Sequence, residues 1–521
     1  MTDTRDNNPF MPWVPRPLGI AILLLMFVPP TFSGGAYLST IAETSGSMGV
    51  WAEDIQLASF FTSIGMCLFP PFMVRFLQAR KIKQTYLICF GALIVLNIGC
   101  ATVSSLPALL ALCVATGFVR VVVMLNCTFT IAPYMTGMNT LDMFTMTETP
   151  TPEVQYALER KRTILMPVLY FYILIISQLG NILTAWRAYH YHWQDAYQAV
   201  AIMLGVAMLL VICTMKDEDR KWDYKPEWSM VPDMLLMCAA LCCLAYVLVY
   251  GKNMDWFDSR RIRIATAAGC IAAGILLWRM TQKRPCHYLP PGIFAYRNVW
   301  MSMLLFFLTM LFNAASMFTN TLAHLASPVD NLHTASLNAW AMAGCAAGLV
   351  ISILLIRFKV RFRTIFAAGL LLMAGANASL YFRYASVVEF SFMAWPTVLN
   401  YAGMLMLYSL AAAFGMKSLP ARHLATFVFL MIWMRNAIAP VAGASFYANR
   451  LQERQQFHIE RLVQDATPES QSPAAIMSLS RRVTVQAAIV AMKDLSGQTV
   501  VLILASVGLV WLLPYHKGES T

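Results

Sequence analysis

The sequence predicts an all-α protein that crosses a membrane many times. Three observations carry this. The chain is 59% hydrophobic and only 12% charged over 521 residues, whereas soluble domains carry about a quarter charged residues. Its mean hydropathy is +0.60. Its apolar residues form many separate runs, each near the roughly 20 residues that a helix needs to cross a bilayer core.

The turn between the second and third apolar runs sets the orientation. In VRFLQARKIKQTYLICFGAL it carries Arg75, Arg80, Lys81 and Lys83. Four cations cannot stay in hydrocarbon, so this turn lies at a membrane face, and the positive-inside rule makes that face the cytoplasm. Fourteen spans follow from hydropathy: 17–40, 53–74, 84–104, 106–132, 163–186, 194–214, 230–250, 261–280, 298–322, 334–356, 364–382, 390–415, 423–447 and 496–514. Inside loops carry Arg160/Lys161/Arg162, Lys216/Arg220/Lys221/Lys225, Arg279/Lys283/Arg284/Arg297, Arg357/Lys359/Arg361/Arg363 and Lys417/Arg422. Short outside loops carry few or none. The exception is GKNMDWFDSRRIR, nominally outside with Lys252, Arg260, Arg261 and Arg263. Both termini are expected in the cytoplasm.

The net charge of +12 is explained by these basic turns. No basic patch with interleaved aromatics suggests nucleic acid. The twelve cysteines are scattered through apolar runs without CxxC or His/Cys spacing, so they read as small buried hydrophobes and no metal site is expected. The N-terminus lacks the pattern of a cleaved leader, so the first apolar run is expected to be kept as a span.

The turn ARKIKQTYLICFGALIV (79–95) is echoed by KVRFRTIFAAGLLLMAG (359–375). Setting aside spans seven and eight, each lies between the second and third spans of a six-span half. A repeated half is a mark of transporters. The expected organisation is a cytoplasmic N-terminus (1–16), a six-helix half (17–214), a linker with two extra helices (215–297), a second six-helix half (298–514) and a cytoplasmic tail (515–521). The last half includes a long external stretch, 449–497. Its two pieces have helical composition and suit either a helix on the membrane surface or a docking site.

This architecture resembles the major facilitator superfamily, and within it the fourteen-span drug:proton antiporters of the EmrB/QacA type. The motifs are eroded. Against G-x-L-x-D-R-x-G-R-R/K after the second span, this chain offers Met73, Arg75, Leu77, Gln78, Arg80, Lys81 and Lys83. The fourth span has Cys113 where the family has Arg, with Gly117 following and Arg120 seven residues further on. Seven residues are about two turns, so Arg120 shares a face with Cys113 at roughly 10 Å. The fifth span keeps Gly180 without the family's Pro, and Pro30 stands at the family's Asp in the first span. Arg435 in RNAIAPVAG echoes R-Q-L-G-G-x-x-G. The resemblance implies a major facilitator fold of two six-helix halves plus two middle helices.

Charges inside spans are costly and mark function by default. Arg435 and Arg120 are therefore candidates for the substrate path, with a clamp on backbone carbonyls as the plain alternative. Gln178, Asn181, Asn313, Asn320, Asn338, Asn400, Tyr401 and Asn436 fall on spans that line the cavity in this superfamily. Arg75, Arg80, Lys81 and Lys83 are candidates for gating. Pro29-Pro30 and Gly34-Gly35 should interrupt the first helix and act as a hinge. No Asp or Glu lies at mid-membrane. The proton-coupling candidates are Asp54 and Glu389, near the outer ends of spans two and twelve, and His324 near that of span nine, with Glu53 beside Asp54.

No GxSxG, HExxH or nucleotide-binding loop is present, so neither an enzyme nor an ATP-driven pump is expected. The expected function is proton-coupled efflux of hydrophobic or amphipathic compounds across the inner membrane by alternating access, without a cofactor. Partners would be the substrate, protons, the bilayer and, by resemblance, a periplasmic adaptor and outer-membrane channel. The alternatives are an anion importer or uniporter, with Arg120 and Arg435 as counter-charges, and a non-transporting scaffold or sensor.

Overall fold

In the computed structural model the described residues are 9–73, 75–76, 81–136, 152–217, 225, 227–282, 287–326, 330–385, 388–417, 419–465, 473–513 and 515. Among them, thirteen helical segments are long and apolar enough to cross a membrane. The shorter apolar helix Arg16–Phe32 precedes them. Together they match the fourteen expected spans. In order they are Ala52–Phe72, Ile82–Thr102, Leu106–Ile131, Thr163–His190, Trp193–Thr214, Trp228–Met254, Arg260–Thr281, Arg297–Leu325, Leu332–Arg357, Phe362–Arg383, Phe390–Met416, His423–Gln464 and Pro473–Leu512. No strand is present among the described residues. Helices alone satisfy every backbone group within the segment, as hydrocarbon requires. Arg80 and residues 137–151 lie outside the described residues.

Three spans are broken, and each break has a local cause. The first was expected to run through 17–40, but its helix stops at Phe32. Pro29 and Pro30 lack N–H groups and crowd the preceding turn. The Ser33 N–H then closes the end on the carbonyls of Pro29 and Pro30. Gly35 follows with φ +71°, a conformation that glycine adopts freely. A side chain there would also strike Thr62 and Cys113. The ninth span breaks at Ala315–Ser316, between helices Arg297–Ala314 and Met317–Ala326. The thirteenth carries a wide turn at Trp433–Ile438, between helices Ala421–Ile432 and Ala439–Asp465. Pro440 cannot donate to the carbonyl four residues back, so the ladder widens there.

The stretch 449–497 continues spans thirteen and fourteen as helix on both sides, with only 466–472 outside the described residues. The two extensions pack on each other, and the His458 ring meets the Asp494 carboxylate at 2.9 Å. This differs from a helix lying flat on a membrane, because apolar positions such as Ile489 and Met492 are buried in a helical core.

The chain forms two compact units. One comprises 1–161, 183–300 and 415–437; the other comprises 162–182, 301–414 and 438–521. In the first, Ile55, Ala58, Cys113, Trp193 and Tyr197 build a core around Tyr37. In the second, Phe318, Tyr447, Met492 and Leu495 do the same. Opposite ends of the first unit are held by charge. Lys252 pairs with Glu53 at 3.3 Å. At the other end Arg75 pairs with Glu227, and Lys83 lies 3.6 Å from Asp217. The Lys252 pair accounts for one cation of the anomalous loop after span seven: it neutralises a carboxylate at the start of span two.

Candidate functional site

The first unit places Arg120 at the broken end of span one. Its Nη2 donates to the Thr31 carbonyl at 2.8 Å. That carbonyl belongs to the last turn of the helix, where acceptors have no intrahelical partner and the dipole favours a cation. The broken segment is fixed from two further sides. The Asn97 amide donates to the Ser33 hydroxyl at 2.6 Å, and the Tyr197 hydroxyl donates to the Gly35 carbonyl at 2.8 Å. Tyr37 packs on Tyr197 with ring centroids 4.7 Å apart. The Arg120 Nε is buried without a hydrogen-bond partner among the described residues.

Arg435 sits in the wide turn of span thirteen, and its Nε donates to the Asn436 Oδ1 at 2.9 Å. The Arg435 charge acts on Arg120. The unit therefore gathers two like charges beside two helix interruptions. Such an arrangement can stabilise an anion or respond to one, since charges away from water interact strongly.

In the second unit, Asn313 accepts from the Asn400 amide at 2.9 Å. Asn320, Asn338, Asn400 and Tyr401 line one small cavity beside the break of span nine. Asn377, from the eleventh span, joins them. It was missed because the resemblance directs attention to other spans, although an Asn inside MAGANAS was a visible signal. Gln178 reaches Tyr401 with its side chain, and its Oε1 is buried without a partner among the described residues. Asn181 is exposed.

None of the titratable candidates lines the asparagine cavity. Asp54 is buried. It accepts from the Trp51 N–H at 2.8 Å and from the Tyr250 hydroxyl. It therefore caps its own helix and ties it to span seven. Glu389 and His324 are exposed at span ends. Lys81 precedes helix Ile82–Thr102, and the Thr85 hydroxyl donates to its carbonyl at 2.8 Å. Among the described residues no group of three His, Cys, Asp or Glu could hold a metal ion.

Two bonds to one carboxylate predict the outcome of Asp54→Asn. Folding stability should fall by about 1–2 kcal/mol, read as a lower unfolding temperature in detergent. Transport per folded molecule should stay the same. A loss of transport at unchanged stability would give Asp54 a role beyond capping.

No family model matches the chain. Multidrug export protein EmrB of Escherichia coli strain K12 is 21% identical over 382 residues, covering 69% of this chain and 72% of EmrB. The probable multidrug resistance protein EmrY of the same strain is 24% identical over 139 residues, 26% of each chain. Among solved structures, an auto-inhibited peptide transporter of the POT family superposes with a TM-score of 0.53 at 14% identity, covering 96% of this chain and 98% of the other. The tetrameric peptide transporter PepTSo2 gives 0.54 at 13%, covering 95% and 98%. The chain is similar in sequence to the EmrB multidrug export protein and has the many-helix fold of these solved membrane transporters.

Proposed function

We propose that this transporter exports hydrophobic or amphipathic compounds from the cytoplasm in exchange for protons, by alternating access, with both termini cytoplasmic and six-helix halves at 17–214 and 298–514. The observation that carries the reading is the pairing of helix interruptions with buried polar groups: Thr31 with Arg120, and Ala315–Ser316 with the asparagine cavity. Irregular backbone is tolerated at membrane depth only where protein or a cavity satisfies it, and transporters place substrate sites there. The export direction draws on the relatives, which are named for multidrug export and resistance. Many methionines, 34 in all, suit an adaptable apolar path. Protons would enter through Glu389 or His324, and the stretch 449–497 beyond spans thirteen and fourteen would offer an adaptor its docking surface.

Proteoliposomes with an internal pH dye test this. Adding substrate should start proton flux in wild type and less in Glu389→Gln, while Asp54→Asn behaves as wild type per folded molecule. Substrate movement without any proton flux would overturn the antiport reading. A second reading, transport of an organic anion, is favoured by the closeness of Arg120 and Arg435.

A further inference from the structure

The cavity in the second unit has a volume of about 50 Å³, several times what one water needs. No charged residue lines it. Its polarity can be read from how its amides are used. The Asn338 amide donates to the Ala335 carbonyl at 2.9 Å, that of Asn377 to the Met373 carbonyl at 3.0 Å, and that of Asn400 to Asn313 Oδ1 at 2.9 Å. The Thr397 hydroxyl donates to the Met393 carbonyl at 2.8 Å. Each side chain thus commits a donor to the protein. Among the described residues nothing donates to the Oδ1 atoms of Asn338, Asn377 and Asn400.

An amide oxygen to which no protein group donates is free to accept, and three on one cavity favour a group that brings several N–H donors and positive charge. A primary ammonium has three N–H donors and no acceptor. A quaternary ammonium has the charge without donors, an alcohol has one donor, and a carboxylate meets oxygens of its own sign. We propose that this cavity receives the primary ammonium head of an amphipathic substrate, its three N–H groups going to Asn338, Asn377 and Asn400. This rests on the export reading above and narrows it to one class of compound.

The test is equilibrium binding to the purified full chain in detergent, using octylamine, octyltrimethylammonium and octanol, with sodium chloride against choline chloride as a further arm. Octylamine should bind about tenfold or more tightly than octyltrimethylammonium. Asn377→Leu should reduce that preference to below about threefold. Asn377 is buried, so Asn338→Ala, at a half-buried position, provides a second variant, and both are read only after their unfolding temperatures are compared with wild type. Equal binding of octylamine and its quaternary analogue overturns the proposal. So does a preference untouched in both folded variants, or stabilisation by sodium with none by octylamine. The two readings fail separately: a chain that binds octylamine selectively yet moves no compound in vesicles refutes export alone, and one that exports without amine preference refutes the cavity's role alone.

Discussion

Gly117→Val leaves almost no folded protein in the membrane. Gly117 in span four faces span two so closely that a Cβ would overlap the Thr62 carbonyl and lie 3.0 Å from the Met66 nitrogen. Gly65 answers from span two, where a Cβ would strike the Val114 carbonyl and lie 3.1 Å from the Phe118 nitrogen. The obstacles are backbone, so no rotamer change relieves them. Overpacking among side chains costs about 1–3 kcal/mol, and here two helices must separate along their length. Small residues allow this contact because association within lipid depends on close packing. The second unit repeats the device. Gly344 and Gly348 in span ten meet Val398 and Ala402 in span twelve, with a Cβ at each lying 3.0 Å from the opposing Cα. Fluorescence-detected size exclusion checks the prediction: Gly117→Val and Gly344→Val should lose the monodisperse peak. Gly91→Ala and Gly274→Ala, where nothing lies within 4 Å of the added carbon, should keep it. A normal peak for Gly117→Val would mean that the two helices are not held by this contact.

These glycine contacts explain which parts of the fold could be read from residue order. The spans and their basic turns were legible because hydropathy is local, and lipid enforces it over each run of residues. In the stretches 79–95 and 359–375, helices Ile82–Thr102 and Phe362–Arg383 start at matching positions. The break in span one was legible because proline causes it. The break at Ala315–Ser316 was not, since neither residue forbids a helix and the Ala315, Phe318 and Tyr447 side chains meet in the core only in three dimensions. The end of the apolar run near Asn449 marks where hydropathy falls, whereas the helix continues to Asp465. Of the candidate site residues, Arg120 was visible as a buried charge, but its partner at Thr31 is 89 residues away. Asp54 was visible as a carboxylate, but its engagement by Tyr250, 196 residues on, can be seen only in three dimensions.

The same separation by partner distinguishes the two arginines in the variant with the largest effect on transport. Arg120 holds a helix end. Removing its guanidinium leaves the Thr31 carbonyl unpaired and the segment 31–35 without one of its three ties. Arg120→Ala should therefore lower the unfolding temperature, at a cost of about 1–3 kcal/mol for a buried acceptor left unsatisfied. Arg435 lies in the wide turn, where its Nε bonds to the neighbouring Asn436. Its charge stands near Arg120, and like charges brought together away from water repel. Arg435→Ala removes that charge. Read per folded molecule, efflux-deficient cells expressing it should lose about tenfold or more of the gained resistance. Resistance equal to wild type at equal abundance would remove Arg435 from the transport path. Competition by benzoate separates the two ways the pair could act. If the arginines bind an anionic substrate, benzoate should inhibit uptake of labelled compound into inverted vesicles by wild type but not the residual uptake by Arg435→Ala. If the arginines only set the field at the two helix breaks, benzoate should leave wild-type uptake untouched, while Arg435→Lys, which keeps the charge, should restore export where Arg435→Gln does not.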